Sequence, residues 1–294
     1  MESQLHMIEI SGSAETCALL NEILTGMNLQ PSLWSDPDGG EGRVSIYCAS
    51  RAQAEDLTVR LREVLERVAD VVPPDTYTVR SSSLTDKDWA ESWKRTFTVE
   101  RIGAHIVICP PWEHAEVSDG DMLITINPGM AFGTGRHATT KACLELLEEL
   151  GPQGEGRSLL DAGCGSGIQS ITARKLGYRP VDAFDNYPCA VETTRRHCML
   201  NGVAADVNAF EADLDTFEPE RAYDVVIANI LYDVLSRNAE RLARCARPGG
   251  IVIGSGVMTG RYTALVREFR AVGLHEEQRL TVGEWTTGKF RRVD

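Results

Sequence analysis

Hydrophobic and polar positions alternate differently in the two ends of this chain. Near the start, Met7-Ile-Glu-Ile10 and Val44-Ser-Ile-Tyr-Cys48 alternate as half-buried strands do, and Leu29–Trp34 and Tyr77-Thr-Val79 are shorter extended pieces. Between them, Ala14 to Met27 carries Cys17, Leu20, Ile23, Leu24 and Met27 at helical spacing. Ala54 to Val68 places Leu57, Leu61, Val64, Leu65 and Val68 on one stripe. Asp36-Pro-Asp-Gly-Gly-Glu-Gly42 is turn material, and Pro73-Pro74 stops the second helix. The order β-α-β-β-α-β is the ferredoxin-like pattern and predicts a small α+β domain over residues 1–80. Trp89, Trp93 and Phe97 then recur every four residues, which predicts a linker helix within residues 81–100.

Over residues 101–294 short apolar runs alternate with amphipathic ones. Ile106–Cys109 and Met122–Ile126 are extended. Strands are predicted at 158–161, 181–184, about 207–210, 223–228 and 250–254, with helices near 168–176, 189–200, 233–245 and 260–271. An antiparallel pair, about 274–281 and 284–292, closes the chain. This alternation predicts an α/β, doubly wound, Rossmann-like sheet, which takes its ligands at the carboxyl ends of the strands.

Candidate chemistry falls at those ends. Leu159-Leu-Asp-Ala-Gly-Cys-Gly-Ser-Gly167 is a strand leading into a glycine turn, with a helix after it. Gly163 and Gly165 fit a dinucleotide fingerprint, but its third glycine position is Ile168, and nothing matches a P-loop. Asp161, just before the turn, suits a ligand with a positive end and would repel a pyrophosphate. Asp185 ends the next apolar run, where an acid can accept both hydroxyls of a ribose. Asn229 ends the run Tyr223-Asp-Val-Val-Ile-Ala-Asn229, where its amide oxygen could accept from an amine. Ahead of the nucleotide strand lies a polar glycine-rich loop, Asn127 to Thr140; Thr139 and Thr140 could cap the helix expected from about Lys141. His137 reads as a hydrogen-bonding loop histidine before it reads as a base.

Charge and cysteines narrow the setting. The net charge of −13 disfavours direct binding to a nucleic-acid backbone and favours a basic partner, besides serving solubility. Up to Asp70 there are 12 acidic against 5 basic residues. The eight cysteines form no C-x-x-C, so they read as free thiols in a reducing cytoplasm rather than as metal ligands. No apolar run approaches a membrane span, and no signal peptide is evident at the start.

The segment Asn127-Pro-Gly-Met-Ala-Phe-Gly-Thr-Gly-Arg-His-Ala-Thr-Thr140 resembles the D-P-G-x-A-F-G-T-G-x-H-x-T-T segment of the bacterial ribosomal protein L-eleven methyltransferases. Asp161-Ala-Gly-Cys-Gly-Ser-Gly-Ile168, Ala228-Asn-Ile-Leu231, Asp88-Trp-Ala-Glu-Ser-Trp-Lys94, Cys109-Pro-Pro-Trp112 and Gly283-Glu-Trp285 are similar to that family as well. The resemblance runs from about residue 75 to the end. It implies a class I S-adenosylmethionine-dependent methyltransferase domain behind a ferredoxin-like substrate-recognition domain, acting on lysine and other amino groups of that basic ribosomal protein. It implies cofactor contacts from Thr140, Gly163, Asp185 and Asn229, with Asn229 also aligning the amine. A monomer without a metal is expected. Asn127, Ala138 and Tyr187 depart from the family's usual Asp, Pro and Asp at those positions. Two rivals remain: a class I methyltransferase for another protein, a nucleic acid or a small molecule, and a binding module that kept the cofactor fold without catalysis.

Overall fold

The structure is a computed structural model of the chain. It describes residues 4–26, 29, 31–35, 40–48, 50–69, 72–85, 97–128, 133–151 and 156–293. The chain divides into two compact units, Met1–Thr96 and Phe97–Asp294.

In the first unit β1 (Gln4–Ser13), α1 (Ala14–Gly26), β2 (Ser32–Ser35), β3 (Glu41–Cys48), α2 (Arg51–Arg67) and β4 (Tyr77–Thr85) come in order. The strands form an antiparallel sheet in the order β2-β3-β1-β4, the ferredoxin-like arrangement. Alternation makes the sheet two-sided: Ile8, Ile10, Val44 and Ile46 pack on Leu20, Leu24, Leu57 and Leu61 of the helices. Ser50 starts α2 by accepting a hydrogen bond from the Gln53 amide at 3.2 Å. β4 continues past residue 80, because it pairs with β1 as far as Gln4 opposite Thr85. Trp89 and Trp93 of the expected linker helix lie outside the described residues.

The second unit opens with β5 (Glu100–Ile102), β6 (Ile106–Cys109) and β7 (Met122–Thr125), a small separate sheet in that order. α3 (Ala138–Leu150) comes after the glycine-rich loop. It starts three residues before Lys141, and its N-cap is His137 rather than either threonine. Then come β8 (Leu159–Ala162), α4 (Ile168–Leu176), β9 (Val181–Asp185), α5 (Pro188–Leu200), β10 (Val207–Glu211) and β11 (Tyr223–Asn229). The chain ends with α6 (Tyr232–Arg237), α7 (Ala239–Cys245), β12 (Ala246–Met258), α8 (Thr259–Ala271), β13 (Leu274–Val282) and β14 (Trp285–Arg292). The one helix expected over 233–245 is two. Asn238 leaves helical geometry (φ −106, ψ 13), and its side-chain amide donates to the Val234 carbonyl at 3.1 Å and to Asp215 Oδ1 at 2.5 Å.

The large sheet runs β10-β9-β8-β11-β12-β14-β13, all parallel except β14. From β8 the chain winds outward through β9 to β10, then returns to the centre at β11 and winds the other way. The boundary between β8 and β11 is therefore the topological switch point, where a doubly wound sheet opens a ligand crevice. Both faces are covered, so strand residues are apolar on both sides: Val225 and Ile227 enter one core, Val226 and Ala228 the other. Among the described residues no helix is long and apolar enough to cross a membrane, and no cluster of metal-ligating side chains occurs.

Candidate cofactor and amine site

Three candidate residues end neighbouring strands. Gly163 comes directly after β8, Asp185 ends β9 and Asn229 ends β11, and these strands lie side by side in the order β9-β8-β11. Thr140 lies in the first turn of α3. The preceding residue, Thr139, is tied to the same edge by Ser255, whose Cα pairs with Asn229 and whose hydroxyl donates to the Thr139 carbonyl at 3.4 Å.

The glycine turn is built around the end of β9. The amides of Gly163 and Cys164 both donate to the Phe184 carbonyl, at 2.8 and 2.9 Å. One oxygen of Asp185 accepts from the Gly165 amide at 3.0 Å and the other from the Tyr187 amide at 3.0 Å. A carboxylate has about four acceptor sites, so each oxygen keeps capacity for a ribose hydroxyl. The sequence suggests glycine here to admit a ligand, but the packing gives a second reason. Gly163 has φ +87, and a Cβ on it would stand 2.5 Å from Cγ2 of Ile230. A Cβ on Gly167 would stand 2.7 Å from Cγ2 of Thr194. Side chains beneath the turn therefore demand glycine as firmly as anything above it.

Ile230 also constrains the backbone just beyond Asn229. Gly256 has φ +83, and a Cβ there would collide with the Ile230 carbonyl oxygen. The Leu231 carbonyl is taken by the amides of Val234 and Leu235 in the first turn of α6, at 3.0 and 3.1 Å. The acceptor left at the tip of β11 is the Asn229 side chain. Its Oδ1 is buried and makes no hydrogen bond.

Among the other buried side-chain atoms without a hydrogen bond are Oγ1 of Thr140 and Oδ1 of Asp161. A buried polar atom without a partner costs about 1–3 kcal/mol. Asp161 and Asn229 lie on β8 and β11, the two strands that border the switch point, so their unpartnered oxygens suit a polar ligand there. Their chemistry suits the amino-acid end and sulfonium side of S-adenosylmethionine, while Asp185 suits its ribose. The residues present fit that cofactor.

The approach to the site is braced by side chains that sequence reasoning missed. His197, on α5, is buried; its Nε2 accepts from the Asn127 amide at 3.1 Å and its Nδ1 donates to the Ser166 carbonyl at 2.7 Å. One turn later Asn201 brackets Thr125, accepting from its amide at 2.9 Å and donating to its carbonyl at 2.7 Å. Ser166 adds a bond from its hydroxyl to the Gly133 carbonyl at 2.5 Å. Thus His197 of α5 ties the entry of the glycine-rich loop to the cofactor turn, and Ser166 of the turn holds Gly133 within the loop. Nothing in the local sequence marks His197 and Asn201, because both roles depend on partners about 70 residues away. His137 accepts from Thr139 at the start of α3 and packs edge-on against Trp285, ring centroids 5.0 Å apart, a positioning contact rather than the pose of a base.

Burial holds His197 below the ordinary histidine value of 6.5, against smaller upward contributions from Ser166 and Asn127. A histidine with a lowered folded pKa contributes stability that is present above the unfolded value and lost as pH falls through the folded one. His197→Asn, which does not titrate, should therefore lower the melting temperature well above pH 6.5 and cost progressively less below it. Thermal unfolding across that range checks this; a pH-independent difference would leave His197 a mere packing residue.

Comparison with known proteins agrees with the fold. The family model for ribosomal protein L11 methyltransferase (PrmA) matches residues 29–293. The ribosomal protein L11 methyltransferase of Desulfosudis oleivorans is 35% identical over 293 residues, 95% of this chain and 94% of that one. The protein of the same name from Heliobacterium modesticaldum is 38% identical over 262 residues, covering 87% of this chain and 81% of its own. The crystal structure of ribosomal protein L11 methylase from Lactobacillus delbrueckii subsp. bulgaricus superposes with a TM-score of 0.62 at 26% identity, covering 67% of this chain and all of that one (100%). With the switch-point site in place and residues 29–293 matched, the chain belongs to the ribosomal protein L11 methyltransferase (PrmA) family.

Proposed function

We propose that this chain methylates amino groups of ribosomal protein L11, with S-adenosylmethionine as the donor. The observation that carries this reading is the buried, unpartnered Oδ1 of Asn229 at the tip of β11, beside the glycine turn. An acceptor there suits an incoming N–H. The names of the relatives supply the substrate.

When bound, the cofactor supplies a methyl group on a sulfonium that departs as a neutral thioether, so the transfer itself makes no demand for a metal. The protein's part is to hold and aim. Asp185 would take the ribose hydroxyls, and the Gly163–Gly167 turn would hold the methionine end. Thr140 Oγ1 offers a hydroxyl to the polar end. Asn229 Oδ1 accepts one N–H of the attacking amine and so directs its lone pair; alignment of this kind is worth up to about 7–11 kcal/mol in favourable cases. A lysine amine, with reference pKa about 10.4, must first lose a proton, and burial beside a cation favours that loss.

The first unit carries no catalytic constellation among its described residues and is assigned to recognition of the basic substrate. Eight unpaired thiols, seven of them buried, suit a reducing cytoplasm. The test is methyl transfer from labelled cofactor into a bacterial lysate. One small, basic labelled protein of the large ribosomal subunit is expected. Label in nucleic acid or small molecules would move the substrate elsewhere, and no label at all would favour a non-catalytic module.

Asp185→Ala should weaken S-adenosylmethionine binding by roughly 1.5–3 kcal/mol, the value of charge-assisted hydrogen bonds. Calorimetry reads this directly. Unchanged affinity in a folded variant would remove Asp185 from the ribose site.

A further inference from the structure

Asp161 is the acid that precedes the glycine turn, and it is wholly buried. Its Oδ2 accepts from the Ser170 hydroxyl on α4 at 2.5 Å, the Ser170 backbone also favours the charged form, and its Oδ1 makes no hydrogen bond. An ionised carboxylate in that position would be unpaired inside the core, which costs several kcal/mol or forces neutralisation. Its surroundings offer no relief. The titratable groups coupled to its charge are Cys143 on α3, Cys164 in the turn, Asp185 at the end of β9 and Cys198 on α5. All four are acids, and among the described residues no basic side chain joins them. Asp185 is itself held close by its bond to Gly165, so two carboxyl groups flank one turn.

We propose that cofactor binding is proton-coupled: the Asp161 carboxyl is protonated in the cofactor-free protein and releases that proton to solvent when a cationic ligand fills the turn. S-adenosylmethionine carries an ammonium, a sulfonium and a carboxylate, a net charge of about +1 at neutral pH. That positive charge takes the place of the proton's, the Asp161 O–H bond breaks, and the turn stays near neutrality in both states. Burial, the largest influence, raises this carboxyl to about 7, with Asp185 adding a smaller push and the Ser170 bonds opposing it. The exchange therefore falls in the physiological range. In the free protein this acid favours the folded state at low pH and loses that contribution as pH rises through the folded value. Cofactor binding restores it, which makes affinity rise with pH. The inference rests on the cofactor and not on the identity of the methyl acceptor.

The test is titration calorimetry of the full-length protein with S-adenosylmethionine and no acceptor, just below neutrality, in buffers of different ionisation enthalpy. At that pH the cofactor's own α-amine, with reference pKa about 7.7–8.0, is mostly protonated, and the Asp161→Asn comparison subtracts its contribution. The expected result is release of a large part of one proton per cofactor bound, and affinity that tightens roughly tenfold between about pH 6 and pH 8. Asp161→Asn, which keeps the shape and the Ser170 contact, should bind with no proton release and a flat pH profile. Heats independent of buffer in the wild type would overturn the proposal. So would equal proton release by the wild type and Asp161→Asn, which would assign the proton to another group. If Asp161→Asn does not fold, Asp161→Ser, which also removes the titrating carboxyl, is read in the same way.

Discussion

Asn229→Ala should cut methyl transfer at saturating cofactor by about a hundredfold, the size of effect that loss of alignment produces. The reason lies in what surrounds it. The Ile230 carbonyl lies close to Gly256 and the Leu231 carbonyl is used by α6, so the Asn229 side chain is the acceptor whose loss is tested. The deletion removes a group whose task is to direct the amine, so the loss should appear in kcat more than in KM. Single-turnover methylation with cofactor in excess separates the two. Asn229→Asp keeps an acceptor oxygen and should recover part of the rate. Turnover within a fewfold of wild type in the alanine variant would remove Asn229 from the amine site.

A chain beginning at Phe97 should bind S-adenosylmethionine and yet lose methylation of the intact ribosomal protein. The first unit has its own core, centred on Ile8, Leu20, Leu24 and Leu61, and the second has separate cores on the two faces of the large sheet. Each unit therefore has a hydrophobic core of its own. An excess of acids suits a basic partner, and complementary charge speeds and orients docking more than it adds raw affinity. Binding of the full-length enzyme to its substrate should accordingly weaken as salt rises. Circular dichroism first establishes that the shortened chain is folded, and labelled-methyl transfer then decides. Full activity on the intact substrate would leave the first unit a stabilising domain.

Much of this was legible from local pattern. The period-two strands and the stripes of α1 and α2 revealed the ferredoxin-like order, because both elements bury one face and so alternate visibly. α4 runs from Ile168 to Leu176 as expected, bounded by Gly167 and Gly177, both left-handed. Gly163, Asp185 and Asn229 could be placed at strand ends because each closes an apolar run. The features that were not legible depend on distant partners. β5 is three residues long and exists by pairing with β6. The break at Asn238 is set by Asp215, 23 residues away. The reach of β4 to Thr85 is set by β1. The role of Ile230 could not be read at all, since a bland apolar residue gains it only by lying under Gly163 and against Gly256. His197 likewise reads as an ordinary helix position until Asn127 and Ser166 close on its two nitrogens.

The most direct test of the central claim is intact-mass measurement of purified, unmethylated ribosomal protein L11 after incubation with this enzyme and S-adenosylmethionine. Stepwise gains of one methyl mass on L11 are predicted, located on amino groups by fragmentation, with their near absence when Asn229→Ala replaces the wild type. An unchanged L11 mass, with a folded enzyme that binds the cofactor, would contradict that claim.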